Sequence, residues 1–357
     1  MRYSPFRHVG SILWKRRPIQ LTFFLTRRCN ARCPMCFYLS RTGSAAPELT
    51  LDEIERTSAS LGNLLWLAFS GGEPFLRDDI VEIAQTFYRN NRPAIILLPT
   101  NGLLPGVIRE RTEAILRLCP KSTMTVKLSL DGPEAIHDEL RGVPGAYRKV
   151  LETYQGLKEL LGKYRNFELG FNSVLCAANQ DRMREVTRLI RSLDPQLTHT
   201  VSLVRGTVRD PRLKEVNGEK YLAAAERLAQ DLNASKSGIY RFRGARLKAA
   251  QDVVQRSLIH RTMTEQRSLV PCTAGRLTLV MTETGDLYPC ESFERKMGNI
   301  REGGYDIPAM LRTGDARSAV RDITDSNCFC THECYTMMNI LFTPAMYPSL
   351  IKEYASL

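Results

Sequence analysis

A sixfold alternation of strand-like and helix-like segments between residues 19 and 232 is what most constrains this chain. Ile19–Thr26 is β-branched and aromatic and reads as a strand. Thr50–Ser60 reads as a helix, with Thr50 and Glu53 spaced as a capping box. Further strands are expected at Leu64–Ser70, Ala94–Leu98, Met124–Leu130, Phe167–Leu175 and His199–Val204. The helices that alternate with them are expected at Asp78–Asn90, Val107–Leu118, Tyr147–Leu161, Arg182–Leu193 and Glu219–Leu232. Strand–helix units in series demand a parallel sheet with right-handed crossovers. A strand as apolar as Ala94–Leu98 is buried on both faces. Six units are too few for a closed eight-stranded barrel. An open partial barrel, TIM-like and of (βα)6 form, and a doubly wound sheet both fit. In either, ligands sit at the C-terminal ends of the strands.

The remainder differs. Arg241 to Gln266 looks helical and basic. Leu277–Pro289 alternates around Glu283-Thr284-Gly285-Asp286 and reads as a hairpin. The tail ends in a short apolar helix broken near Pro344. The composition, 43% hydrophobic and 25% charged, is that of a globular chain and not of a disordered one. The net charge of +12 is scattered, so it reads as a basic solvated surface, and no nucleic acid is expected. No apolar run reaches the roughly 18 residues of a membrane span. Val9–Trp14 is too short for a signal-peptide core, and Lys15, Arg16 and Arg17 follow it at once. A cytoplasmic protein is expected.

In a reducing compartment the ten cysteines are not a disulfide framework. They form one group at Cys29, Cys33 and Cys36 and another at Cys272, Cys290, Cys328, Cys330 and Cys334. Cys119 and Cys176 stand alone between them, as core thiols. Two metal sites are expected. The first group lies on one short loop directly after the first strand. Three thiolates there can hold three irons of a cubane cluster and leave the fourth iron open. Structural zinc prefers four ligands in paired C-x2-C knuckles, which C-x3-C-x2-C does not match. Gly71-Gly72-Glu73-Pro74 follows the second strand. Its glycines allow close backbone approach, and Glu73 offers an acceptor for an ammonium group.

The C-x3-C-x2-C spacing after strand one, with the (βα)6 pattern from Leu21 to about Arg205, resembles the radical S-adenosylmethionine superfamily. The resemblance implies a [4Fe–4S] cluster on Cys29, Cys33 and Cys36, with S-adenosylmethionine chelating the open iron. It implies reductive cleavage to a 5′-deoxyadenosyl radical that abstracts hydrogen from a substrate, an oxidoreductase-like activity fed by a reductant such as flavodoxin or ferredoxin. The residue before the third cysteine, often aromatic in that family, is Met35 here. Gly71-Gly72-Glu73-Pro74 is similar to the family's GGEP, which binds the methionine amino group. Thr100-Asn101-Gly102 resembles a segment lying under the cofactor, against the alternative of an Asn-Gly turn. Ser129 to Gly142 resembles a stretch found in members that carry a C-terminal auxiliary-cluster domain. It implies contacts from Ser129 and Arg141 to the ribose or carboxylate. A planar, permanently charged fork suits a carboxylate, and a surface salt bridge is the alternative for Arg141. His137 and Asp138 are expected to be structural. Asn172, polar among Phe171 and Val174, is a further candidate for the cofactor.

Cys272, Gly285 and Cys290 are spaced C-x12-G-x4-C around the hairpin, similar to the start of a SPASM/twitch domain. Five thiols suffice for one fully ligated auxiliary [4Fe–4S] cluster with one left over. Cys272 and Cys290 are the first ligands to expect, then Cys330 and Cys334, with Cys328 interchangeable with them. A zinc site of four thiolates is the alternative. The implied organisation is an N-terminal extension (1–18), a radical SAM core (19–235), a helical linker (236–270) and an auxiliary domain (271–357). Glu291 follows Cys290 at the place where sulfatase-maturing relatives carry a catalytic carboxylate, so it is a candidate base, with a structural role as the alternative that comes first.

The substrate is less constrained. Oxidation, epimerisation or cross-linking of a peptide or protein residue comes first, a small molecule or lipid precursor second, and a non-catalytic iron–sulfur or zinc protein third. Only 28 residues precede Cys29, too few for an N-terminal peptide-recognition domain, so a leader peptide would need a separate recognition protein. Arg241, Arg243, Arg246 and Lys248 read as a solvated basic face, with an anion site as the alternative. Met337 to Phe342 reads as core, with an apolar substrate site as the alternative.

Overall fold

The computed structural model describes residues 2–15, 17–40, 46–234 and 238–357. Arg16, and the expected boundary between residues 235 and 236, lie outside the described residues. Six parallel strands form the expected sheet: β1 (Gln20–Phe24), β2 (Trp66–Ser70), β3 (Ile95–Thr100), β4 (Thr123–Ser129), β5 (Phe167–Leu175) and β6 (Thr198–Leu203). Their helices are α1 (Leu51–Ser60), α2 (Ile80–Asn91), α3 (Pro105–Leu118), α4 (Glu134–Arg141), α5 (Ala146–Lys163), α6 (Met183–Leu193) and α7 (Gly218–Asn233). Phe23 and Phe24 point to opposite faces of β1 and both are fully buried, as a strand covered on both sides requires. The capping box of α1 forms: the Thr50 hydroxyl accepts from the Glu53 N–H, and the Glu53 carboxylate accepts from the Thr50 N–H.

The strand order is β6-β5-β4-β3-β2-β1-β7-β8-β9, so the sheet is an open, partial barrel. The expected hairpin forms from β7 (Thr278–Met281) and β8 (Asp286–Tyr288), and β9 (Gly298–Asn299) extends it. Gly285 in its turn has φ of +87°, and a Cβ there would meet Ile300 at 2.7 Å. The sequence did not announce that β7 pairs in parallel with β1, Leu21 opposite Leu279. The cysteine-rich part therefore continues the sheet of the barrel.

Helices α8 (Ala245–Glu265), α9 (Ile307–Met310), α10 (Gly314–Asp325), α11 (Glu333–Leu341) and α12 (Tyr347–Ser356) complete the chain. The tail breaks at Pro344 as expected, through a 3-10 turn at Pro344–Met346. A second 3-10 helix, Pro5–Ile12, packs beside the N-terminal ends of the strands. The free edge of β6 is closed at its end by α11, where the Leu203 N–H donates to Glu333 at 3.1 Å. Among the described residues no helix is long and apolar enough to cross a membrane.

Candidate functional site

The loop after β1 carries Cys29, Cys33 and Cys36 at the C-terminal end of the parallel sheet. Backbone contacts from neighbouring loops fix it. The Gly72 N–H donates to the Thr26 carbonyl (2.7 Å), the Glu73 N–H to the Arg28 carbonyl (2.8 Å), and the Arg32 N–H to the Arg141 carbonyl (2.9 Å). A Cβ on Gly72 would meet the Arg28 carbonyl oxygen at 2.1 Å. That glycine is needed so that the loop after β2 can lie against the cysteine loop. Asn101 completes the clamp, its amide donating to Asn30 at 2.7 Å and approaching the Cys29 Sγ at 3.8 Å.

Glu73 is buried at the centre. Its carboxylate accepts from the Thr100 hydroxyl (2.8 Å), the Asn101 N–H (2.8 Å) and the Phe75 N–H (3.3 Å). Burial nonetheless pushes its pKa up to about 7. Because the folded pKa lies above the unfolded value, ionised Glu73 costs stability. That cost grows as pH rises from about 4.5 and is complete above about 7. A bound ammonium group would offset it. Affinity for S-adenosylmethionine is therefore expected to weaken about tenfold per pH unit below about 7, and Glu73→Gln to bind weakly with no such slope. Equilibrium dialysis between about pH 6 and 8 reads both, and an unsloped wild type would refute the assignment.

Burial also raises the thiols, Cys29 to about 11 and Cys33 upward despite the opposing charge of Arg141. The charges of the other two loop cysteines add to the cost at Cys29. Thiolates this close and this buried need a cation, and the donor set fits an iron cluster. Arg141 ends α4 and is buried, not a surface group. It is ion-paired with Asp131, and its Nη1 lies 3.9 Å from the Cys33 Sγ. Burial works against its charge, but Asp131 and Cys33 more than offset this. Asp138 accepts from the Gly145 and Tyr147 N–H groups, a structural role. Ser129 and Pro74 line the same cavity, as does Asn172, whose Oδ1 accepts from the Thr200 and Ser202 hydroxyls.

The cavity measures about 370 Å³, runs down the barrel and is bounded elsewhere by Arg205, Glu291, Glu333 and Cys334. Glu291 is buried, with Arg205 Nη2 at 2.7 Å and His332 Nε2 at 3.6 Å. Arg205 also reaches Glu333 at 3.6 Å and stacks on Phe37, the residue after Cys36. Burial and the neighbouring Arg205 hold His332 neutral. Sequence reasoning missed Arg205 and Glu333, although the position of Arg205 just past a strand's C-terminal end was a signal.

The second cysteine group divides. Cys272, Cys290 and Cys328 pack in one cluster around Phe24, Tyr38 and Phe293. Cys330 is exposed, yet its thiol is pushed up to about 12, by desolvation among neighbouring atoms and then by the charges of Cys272, Cys290 and Cys328. Those four thiols form one mutually repelling set. Cys334 lies elsewhere: its Sγ, a Glu291 oxygen and a His332 nitrogen fall within 4.8 Å of one another. Cys119 and Cys176 are buried core thiols, as expected.

Residues 23–172 match the Radical SAM superfamily. The chain carries a radical SAM domain, and the named relatives that match it are enzymes. The family works with a [4Fe–4S] cluster held by cysteines, S-adenosylmethionine and a reductant. The AdoMet-dependent heme synthase of Methanosarcina barkeri is 27% identical over 295 residues, 80% of each chain. The PqqA peptide cyclase of Bradyrhizobium diazoefficiens is 28% identical over 180 residues, 50% of this chain and 44% of that one. Among solved structures, anSMEcpe with bound AdoMet superposes with a TM-score of 0.61 at 17% identity, covering 95% of this chain and all of that one. SuiB of Streptococcus suis bound to S-adenosylmethionine gives 0.59 at 17%, covering 89% and 71%. These structures share the radical SAM fold with this chain.

Proposed function

We propose that Cys29, Cys33 and Cys36 hold the radical SAM cluster, that Glu73 receives the ammonium of S-adenosylmethionine and Arg141 its carboxylate, and that Thr100, Asn101, Ser129 and Asn172 border the nucleoside. When bound, the cluster supplies the electron that cleaves S-adenosylmethionine to methionine and a 5′-deoxyadenosyl radical. The radical takes a hydrogen atom from a substrate seated between that end of the cavity and Glu291. Arg205 orients Glu291 as the group that accepts the proton released on oxidation. Cys272, Cys290, Cys328 and Cys330 hold an auxiliary [4Fe–4S] cluster, leaving Cys334 to face the cavity. The auxiliary part begins near residue 271, after a helical linker and the core. A flavodoxin or ferredoxin supplies electrons.

The observation that carries this reading is the single cavity joining Cys29, Glu73 and Arg141 to Glu291 and Arg205. For the substrate, we favour a small molecule over a peptide residue. The cavity has the volume of a small-ligand site, and heme synthase relatives align over four-fifths of both chains. The peptide reading rests on an alignment to half of this chain.

The test is anaerobic reconstitution, reduction, and assay for 5′-deoxyadenosine formed from S-adenosylmethionine. No product above the protein-free control sinks the radical assignment. Wild type is expected to carry about eight irons and Cys272→Ala about four, with S-adenosylmethionine still binding. One zinc in place of the second set would replace the auxiliary cluster with a structural site.

A further inference from the structure

A second cavity, of about 380 Å³, lies at the opposite end of the barrel. Its lining is almost wholly apolar and comes from six separate pieces of chain. The Pro5–Ile12 helix gives Phe6 and Val9, the starts of β2 and β3 give Trp66 and Ile95, and α8, α11 and α12 close the rest. Met338 of the Met-rich tail is core, but Met337, Leu341 and Phe342 face this cavity. A packed interior leaves few voids of this size. Trp66, Lys248 and Met337 line both this cavity and the central one. Three side chains therefore form a common wall between an apolar chamber and the reaction chamber.

The mouth of this chamber is unusual for a water-facing surface. Among the lining residues Val9 is 54% exposed and Ile351 68%, with Tyr354 also exposed, and the exposed Leu13 and Trp14 directly follow the lining residue Ile12 in the chain. Exposed apolar groups gathered at a cavity's edge mark an interaction surface. Their surroundings are basic. Residues 2–18 contain no Asp or Glu and contribute Lys15 and Arg17. Arg243 lies over Phe6 and Arg246 over Tyr354, at 5.7 and 4.7 Å from the ring centroids. Apolar and aromatic groups ringed by Lys and Arg are complementary to an anionic lipid surface, the rings at headgroup depth and the cations on phosphates.

We propose that this chamber is a lipid-chain site, opened onto an anionic bilayer, which passes the hydrocarbon chain of a membrane-resident amphiphile toward the radical chamber through the Trp66–Lys248–Met337 wall. The proposal rests on the radical reading only for what happens to the chain after that wall. It narrows the substrate from a small molecule to an amphiphile with a long apolar chain. Lys248, which pairs with Asp252 on α8, sits where the polar end or an unsaturated segment would have to cross.

The two tryptophans of the chain make this testable, since Trp14 is exposed two residues after the lining residue Ile12 and Trp66 stands in the shared wall. The probe is a phosphatidylglycerol vesicle whose acyl chains are brominated, a contact quencher of indole. In Trp66→Phe, emission from Trp14 is expected to fall by about half as the rim settles into the interface. In Trp14→Phe, emission from Trp66 is expected to fall comparably, which requires a chain inside the chamber. Leu13→Asp, at an exposed position, is expected to fold normally and to weaken vesicle binding about tenfold. Quenching of Trp14 without Trp66 overturns the proposal, because the chain then stays in the bilayer. So does quenching of neither, or a dimer that Leu13→Asp dissociates, which assigns the face to a second copy. None of these readouts uses S-adenosylmethionine. Quenching with no 5′-deoxyadenosine would defeat the radical reading alone, and the reverse would defeat only the lipid site.

Discussion

Cys33→Ala is expected to abolish 5′-deoxyadenosine formation, a loss of at least about a thousandfold, while the protein stays folded. Both halves follow from the loop. Cys33 is half-buried, with Arg141 Nη1 3.9 Å from its sulfur, and removing it leaves two of three thiolates. Two cannot hold a site-open cubane. The loop itself depends on backbone pairing with Thr26, Arg28 and Arg141 and on the Asn101–Asn30 contact, none of which involves the thiol. The variant should therefore lose about four irons and keep the four of the second set, with unfolding of the metal-free chain nearly unchanged. Cys119→Ala is the matched control, because that thiol is buried beside the Ala84 carbonyl, outside both cysteine groups. S-adenosylmethionine cleavage by Cys33→Ala at even a tenth of the wild-type rate would remove Cys33 from the ligand set.

The fold and the site are legible in the amino-acid sequence to the extent that their determinants are local. The six strands are readable because each is a short apolar or β-branched run between helical periodicities, and β5 matches its expected bounds at Phe167–Leu175. Helix α4 does not stand out, because Pro133 and Gly142 bracket only eight residues and a motif is the more visible content of that stretch. The cysteine groups are legible as groups. Their division is not, because Cys330 and Cys334 are separated by the start of α11, which turns Cys334 toward Glu291. The Arg205–Glu291 pair spans 86 residues and has no sequence signal beyond the strand end before Arg205. Parallel pairing of β7 with β1 is equally non-local. The apolar chamber is the extreme case, since the N-terminal segment, two strand ends and three helices form it.

Asp131→Asn is the variant in which stability and cofactor recognition meet. Asp131 is fully buried between β4 and α4. One oxygen accepts from the Val174 N–H at 2.8 Å and the other faces the Arg141 guanidinium. Asparagine can keep the first contact, but its amide would present donors to a cation. Arg141 would then be a buried charge without its counter-ion, and such losses cost about 3–5 kcal/mol. His137 offers no substitute: burial and the charge of Arg141 lower its pKa to about 4, so it is neutral at pH 7 and carries no negative charge. Denaturant unfolding of the metal-free protein should show the loss, and Asp131→Asn with Arg141→Met should recover much of it. If Arg141 also receives the carboxylate of S-adenosylmethionine, the ligand replaces the missing counter-ion. Saturating it on the cluster-loaded variant should then stabilise Asp131→Asn more than wild type, beyond the roughly 2.7 kcal/mol that a hundredfold excess over Kd supplies to any binder. Equal stabilisation of the two proteins would mean that Arg141 serves Asp131 and the Cys33 thiolate only, and the carboxylate would have to be met by another group on the cavity wall.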